Sequence, residues 1–336
     1  MAYPVTVIPG DGIGPEVTDA TLQVLEATGV DFEWERFEEV GAAAVEAGRD
    51  ELPEEVLDSI RENRVALKGP VTTPVGEGFT SVNVQLRQEL DLYANVRPCQ
   101  SLPGIETPFD DVNLIIVREN TEGLYSGVET FDERLQIADS IARVTRAGSE
   151  RIIRFCFEYA KKHGRKKVTL AHKANILKSS TGLFLEVGEG IAPEYADDVE
   201  YEDRIIDNMA MQMVMYPQQY DCVVTTNLFG DILSDLGAGL VGGLGVTAGA
   251  NIGDDEAVFE AVHGSAPDIA GEGKANPTAL LRTAVMMLYH LDEDDAARAL
   301  DDAVYETYRE GAVLTSDVGG TASTEEFAAH VAERVA

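Results

Sequence analysis

Three aspartates carry the chemistry that is simplest to state. Asp231 and Asp235 lie four residues apart in Asn227-Leu-Phe-Gly-Asp-Ile-Leu-Ser-Asp235, and Asp207 opens the apolar-periodic run Asp207-Asn-Met-Ala-Met. A helix starting at Gly230 would place Asp231 and Asp235 at i and i+4 on one face. Hard divalent cations such as Mg²⁺ take one or two carboxylates and complete their shell with water and substrate oxygens. The pattern therefore suits a site that polarises a substrate. In a chain with 60 Asp and Glu residues, a solvated acidic face is the competing reading. The buried-type strand Cys222–Thr226, running straight into this turn, favours the site.

Three arginines and an acid–base pair extend the picture. Asn83 and Arg87 are spaced i, i+4 on a helix that Ser81 can begin, where free N–H groups attract anions. Arg97 stands just before Pro98, and Arg118 ends a buried-type strand in Val117-Arg-Glu-Asn-Thr-Glu. Guanidinium groups bind carboxylates through paired hydrogen bonds. Convergence of Arg87, Arg97 and Arg118 would thus match a di- or tricarboxylate; ordinary surface ion pairs are the alternative. Tyr125 and Lys173 form an acid–base pair on this reading. Lys173 closes the buried-type strand Thr169-Leu-Ala-His-Lys, where a metal and substrate nearby would lower its pKa enough to relay a proton. A lysine snorkelling from a strand end is the alternative.

The last motif is His263-Gly-Ser-Ala-Pro-Asp-Ile-Ala-Gly-Glu-Gly-Lys-Ala-Asn-Pro277. Its small residues permit close backbone approach to a ligand. Asp268 can accept hydrogen bonds from a ribose diol while repelling a 2′-phosphate. His263 taken alone reads as a satisfied loop histidine.

Alternating strands and helices must position these residues. Strands are expected at Val5–Pro9, Asp31–Phe37, Val65–Lys68, Val112–Val117, Val168–His172 and Cys222–Thr226, with helices at Pro15–Thr28, Pro53–Glu62 and Ile152–Lys162. That alternation predicts an α/β architecture. Ile8-Pro-Gly-Asp-Gly-Ile-Gly14 follows a strand and opens a helix but is not a GxGxxG fingerprint, and Gly237–Gly249 lacks the Lys-Ser/Thr of a phosphate loop. Both read as structural turns.

Bulk properties bound the function. A length of 336 residues suggests about two domains. A net charge of −34 excludes appreciable affinity for nucleic acid or anionic lipid. The surplus of carboxylates over 26 Lys and Arg residues predicts adaptation to high salt, where screening removes self-repulsion. Cys99, Cys156 and Cys222 show no metal or disulfide spacing and are expected to be small buried residues. No apolar run approaches the ~18 residues of a membrane span, and the N-terminus lacks a basic signal-peptide region. A soluble, cytoplasmic protein is expected.

Taken together, Ile8-Pro-Gly-Asp-Gly-Ile-Gly, Arg118-Glu-Asn-Thr-Glu-Gly-Leu-Tyr, Asn227-Leu-Phe-Gly-Asp and His263-Gly-Ser-Ala-Pro-Asp resemble the β-decarboxylating dehydrogenases, in order and across essentially the whole chain. The resemblance implies a two-domain α/β fold with a mixed sheet core, distinct from a Rossmann fold. A large discontinuous NAD-binding domain would comprise residues 1–94 and 242–336, and a small domain residues 95–241. The active site is expected in the cleft, and a clasp-like segment within 123–148 would join two copies into a homodimer or a tetramer of dimers. By the same resemblance, Arg87, Arg97 and Arg118 clamp carboxylates, Tyr125 is the general acid, and Lys173, donated by the neighbouring copy, assists proton transfer. Asp231 and Asp235 ligate Mg²⁺ or Mn²⁺ with Asp207 of the other copy. Thr72 and Thr73 contact the nicotinamide side of NAD; His263, Gly264 and Asn276 contact the adenine nucleotide; Asp268-Ile269 matches NAD-using members.

Substrate choice within the family turns on Ser81-Val-Asn83, the polar pattern of members that hydrogen-bond a γ-carboxylate. Burying those polar groups against an isopropyl group would cost roughly 1–3 kcal/mol each. The resemblance therefore implies oxidative decarboxylation of isocitrate to 2-oxoglutarate and CO₂ with NAD, a citric acid cycle step. Homoisocitrate and 3-isopropylmalate are the rival substrates. A non-catalytic regulatory role is a remote alternative, since such relatives tend to lose the tyrosine, lysine or aspartates retained here. A phosphate on Ser81 would repel a γ-carboxylate.

Overall fold

The computed structural model describes residues 2–72 and 81–336. The chain divides into two compact units: residues 1–92, 101–110 and 241–336 form the first, and residues 93–100 and 111–240 the second.

In the first unit, parallel strands run in the spatial order Phe32–Arg36, Tyr3–Ile8, Val65–Lys68, Ala257–Glu260, with antiparallel Ala250–Ile252 beside the last. Strand side chains alternate between two faces, and here both are covered. Val5, Val7, Val65, Leu67 and Phe259 pack among the helices Gly14–Ala27, Thr278–His290, Asp294–Glu310 and Thr324–Val335. Ile8, Ala66 and Val258 face the helices Glu54–Asn63 and Val82–Glu89. Two-sided burial is why these strands read as continuous apolar runs. The segment Ser101–Asp110 joins this unit, with Leu102 in its core.

The second unit repeats the plan. Parallel strands Asn113–Glu119, Cys222–Thr225, Lys167–His172 and Glu200–Ile205 lie side by side in that order, and Ala94–Gln100 runs antiparallel to the first. Helices Arg146–Lys162, Thr181–Ile191, Ile206–Met215 and Asn227–Leu240 belong to this unit. Gly237 lets the last of these approach Ala94–Gln100: a Cβ there would lie 2.6 Å from Cys99 Sγ. A separate hairpin, Glu129–Asp132 with Ile137–Ser140, leaves all its strand residues exposed. All three cysteines are buried, as expected. Among the described residues, no helix is long and apolar enough to cross a membrane.

Candidate active site

In open α/β sheets, ligands collect at the carboxyl ends of parallel strands, and the second unit brings its chemistry there. Arg118 lies near the carboxyl end of Asn113–Glu119, and Cys222–Thr225 feeds Asn227 and the Asp231 helix. Lys167–His172 delivers Lys173, and Glu200–Ile205 delivers Asp207.

The Asn227-Leu-Phe-Gly-Asp motif is a receptor for Arg118. The helix starts at Asn227, not at Gly230 as the sequence suggested, because Gly230 N already donates to Thr226 O at 2.9 Å. Residues 227, 230 and 231 therefore share a face. Asn227 Oδ1 accepts from Arg118 Nε at 2.9 Å and from Nη2 at 2.7 Å. Gly230 makes room for the arginine stem, since a Cβ there would stand 2.5 Å from Arg118 Cβ and Cγ. Asp231 completes the pocket with an ion pair to Arg118 Nη1. A guanidinium 2% exposed is tolerable because each edge is met by an acceptor. Asn227 Nδ2 in turn donates to Glu122 O at 2.9 Å.

Tyr125 joins the same carboxylate. Its hydroxyl donates to Asp231 Oδ2 at 2.6 Å, and the Arg118 guanidinium carbon lies 5.2 Å from its ring centre. The hydrogen bond to Asp231, with partial burial, raises the tyrosine pKa above its ordinary value, so the phenol holds its proton through neutral pH. Arg97 is a buried mid-strand residue of Ala94–Gln100, and Asn95 explains its setting. Asn95 pairs with Arg118 across the antiparallel ladder, and Arg97, two residues on, shares that face. Arg97 Nε donates to Asn95 Oδ1 at 2.9 Å.

Lys173 Nζ and Asp207 form an ion pair of their own, and the lysine holds the Asp207 carboxyl below its usual range. Asp231 and Asp235 supply oxygen donors on one half-exposed helix face, which suits a hard cation. Among the described residues of one chain, however, no three His, Cys, Asp or Glu side chains come close enough to hold a metal. Asp207 stays with Lys173 instead of completing a set with Asp231 and Asp235.

The first unit gathers the remaining residues. Ser81 caps the Val82–Glu89 helix through its backbone alone. Arg87 Nη2 lies 3.3 Å from Glu260 Oε1, while Asn83 Oδ1 and Arg87 Nε are enclosed without partners among the described residues. The glycine-rich turn proves to be a three-loop junction. Asp11 N donates to Pro70 O and Ile13 N to Ser265 O, each at 2.8 Å. Asp11 Oδ2 accepts from Thr72 N, and Thr72 Oγ1 meets Ser265 Oγ, each at 2.7 Å. Gly12, at φ 61°, has no room for a side chain, because a Cβ would lie 2.0 Å from Ser265 O. Thr73 lies outside the described residues.

In the same loop, Gly264 and Asp268 are exposed and Ile269 packs on the core. His263 Nδ1 lies 3.0 Å from Gly264 O, and its Nε2 is enclosed without a partner among the described residues. Burial first, and Lys68 second, lower its pKa. Asn276 is buried with its amide committed internally, to Tyr308 Oη and Asp317 Oδ2 at 3.0 Å each and to Thr278 N at 3.0 Å. The last of these closes a turn just ahead of the helix Thr278–His290, whose N-cap is Pro277.

Sequence reasoning missed Asn95, Asn227, Lys68, Asn251 and Glu260. Lys68 carried a usable signal: like Lys173, it ends an apolar strand. Glu260 ends another.

Comparison with known proteins shows the family. The family model described as isocitrate/isopropylmalate dehydrogenase matches residues 4–331. A mitochondrial NAD isocitrate dehydrogenase catalytic subunit 5 from Arabidopsis thaliana is 50% identical over 323 residues, covering 96% of this chain and 86% of that one. A Dictyostelium discoideum protein, named as a regulatory subunit of mitochondrial NAD isocitrate dehydrogenase, is 47% identical over 332 residues, covering 98% and 91%. The crystal structure of isocitrate dehydrogenase from Methylococcus capsulatus superposes with a TM-score of 0.93 at 58% identity, covering 99% of both chains. The chain belongs to the isocitrate/isopropylmalate dehydrogenase family and has its α/β fold.

Proposed function

We propose that this protein oxidises and decarboxylates isocitrate to 2-oxoglutarate and CO₂ with NAD and Mg²⁺ or Mn²⁺. The observation that carries the reading is the joining of Arg118, Tyr125 and Asp231 at the carboxyl ends of the second unit's strands, supported by relatives named NAD isocitrate dehydrogenases. Arg97 and Arg118, on one sheet face, are assigned to substrate carboxylates, as is Arg87. Ser81 and Asn83 are assigned to the γ-carboxylate that isopropylmalate lacks. Asp231 and Asp235 of one chain and Asp207 of a second would hold the divalent cation, which when bound supplies Lewis-acid stabilisation of negative charge on substrate oxygen.

Bound NAD supplies the hydride acceptor. Thr72, Thr73, His263, Gly264 and Asn276 are assigned to it, with Asp268 and Ile269 at the adenosine ribose, where the aspartate would disfavour a 2′-phosphate. Tyr125 Oη holds the proton destined for the carbon that CO₂ leaves, and Lys173 of the second copy is its proton partner. A homodimer, or a tetramer of dimers, follows from those shared assignments. The exposed hairpin carrying Phe131 and Ile137, and the exposed Met211, Val214, Met215 and Ile232, support burial against a second copy.

The Dictyostelium relative's name raises a regulatory role, and identity alone does not separate the two readings. Retention of Tyr125, Lys173, Asp207, Asp231 and Asp235 favours catalysis. The test is NADH formation at 340 nm by the purified protein with Mg²⁺, offering isocitrate, homoisocitrate and 3-isopropylmalate separately, with NAD and then NADP. Turnover highest with isocitrate and NAD supports the proposal. Preference for another acid reassigns the Ser81/Asn83 subsite, and no turnover of any acid revives the regulatory reading.

A further inference from the structure

Glu260 has no part in the chemistry above, yet it is among the most enclosed charges of the first unit. It ends the strand Ala257–Glu260, in register with Lys68 at the end of Val65–Lys68, and is 4% exposed. Lys68, 1% exposed, places Nζ 2.8 Å from Glu260 Oε2 and donates to Gly69 O at 3.0 Å. Asn251 Nδ2 donates to Oε1 at 2.7 Å, and Arg87 Nη2 donates to the same oxygen at 3.3 Å. Two cations thus meet one carboxylate, and the trio is net positive inside a chain of net charge −34. Buried charge is costly unless something of opposite sign completes it. Beside the trio, Arg87 Nε and Asn83 Oδ1, one turn apart on a single helix, are enclosed without partners among the described residues.

We infer that Glu260 is a positioning residue that anchors Arg87 for an anionic, carboxylate-bearing substrate. One edge of the guanidinium is tied to Glu260, so the rest of the group, on a side chain 14% exposed, is held in a fixed orientation. A long arginine held in advance loses less freedom when the substrate arrives. Lys68 compensates the buried carboxylate, and Asn251 occupies the oxygen that Arg87 shares, which limits how far the pair can shift. The inference rests on the assignment of Arg87 to the substrate.

A double-mutant cycle on the full-length protein tests it, using Glu260→Gln, Arg87→Gln and the two combined. Glu260→Gln should raise the KM for isocitrate roughly 10- to 100-fold, the scale of a misplaced binding group, and leave the KM for NAD unchanged. Glu260 acts through Arg87, so the double variant should be no worse than Arg87→Gln alone. Losses that multiply overturn the inference while leaving Arg87 in the substrate site. An isocitrate KM unmoved by Arg87→Gln overturns the inference together with the assignment beneath it. Glu260→Asp keeps the charge opposite Lys68 but shortens the reach to Arg87. It supplies a folded variant should Glu260→Gln prove too unstable, and should raise the isocitrate KM less than Glu260→Gln does. A melting temperature that falls while that KM stays put would show a merely structural role and overturn the inference.

Discussion

The Arg118–Asp231 cluster of the second unit and the Lys68–Glu260–Arg87 cluster of the first both stand at carboxyl ends of parallel strands, but their carboxylates face different surroundings. The side chains of Asp231 and Asp207 are 42% and 67% exposed, against 6% for Glu260. Water screens the Lys173–Asp207 pair, so those ions can trade partners at little cost, whereas Asp231 shares a half-exposed carboxylate with an Arg118 guanidinium that is itself buried. Asp231 can release the exposed Tyr125 hydroxyl, and Asp207 can release Lys173, at less cost than Glu260 can release Lys68. Glu260 has no such freedom, because breaking a buried pair strands a charge in a poorly solvating interior. Exchangeable carboxylates suit groups that take part in turnover, and fixed ones suit a scaffold.

The contrast is sharpest in activity against stability. Tyr125→Phe removes the hydroxyl proposed as general acid from an exposed site, so kcat should fall by about 10²–10⁴-fold while the melting temperature stays at the parent's value. A parallel loss of thermal stability would move Tyr125 out of the catalytic group and into the scaffold. Lys68→Met should do the reverse of a surface change, destabilising the fold by about 1–3 kcal/mol in denaturant unfolding as Glu260 Oε2 loses its buried partner and only Arg87 and Asn251 remain on the carboxylate. Lys173→Met, in the exposed cluster, should leave the unfolding midpoint nearly unmoved; equal destabilisation by both lysine variants would erase the comparison. Gly230→Ala tests the Arg118 receptor from the packing side. Its new methyl would press on the arginine stem, and overpacking of this kind costs about 1–3 kcal/mol.

Much of both clusters was legible where a strand ends in a charged residue. Arg118, Lys173 and Asp231 stood out because apolar strands deliver them, and the strands themselves were readable from two-sided burial. The helix start at Asn227 was misplaced by three residues, because Gly230 suggested a boundary while its actual task is to admit the Arg118 stem. Tertiary contact overrode the local signal there. The glycine turn at residues 10–14 read as a structural element, and it is one. Its partners, Pro70 and Ser265, are distant in sequence and could not be inferred from spacing. Asn276 shows the same limit of motif reading, since its amide is spent on Thr278 N and on Tyr308 and Asp317. Lys68 and Glu260 went unread because their meaning lies in the register that pairs them.

The −34 charge gives a bulk counterpart to these local effects. Screening of carboxylate repulsion is proposed to raise the melting temperature as KCl goes from ~0.1 to ~2 M, and a flat profile would reject adaptation to salt.

The smallest expected effect lies at the margin of the buried cluster, at His263. Burial of the ring and the nearby Lys68 charge place its folded-state pKa below the ordinary 6.5. A group depressed on folding binds a proton more readily in the unfolded chain, so protonation favours unfolding. Its contribution to stability is therefore complete above pH 6.5 and is lost as pH falls from there through the folded value. Glutamine cannot titrate in this range, so His263→Gln should flatten part of the fall in melting temperature between about pH 7 and pH 5. Carboxylates contribute to that fall in parent and variant alike, and the difference between the two curves isolates the histidine. Curves that stay parallel across the interval would mean that the ring is solvated in both states, and that the influence of Lys68 ends at Glu260 and Arg87.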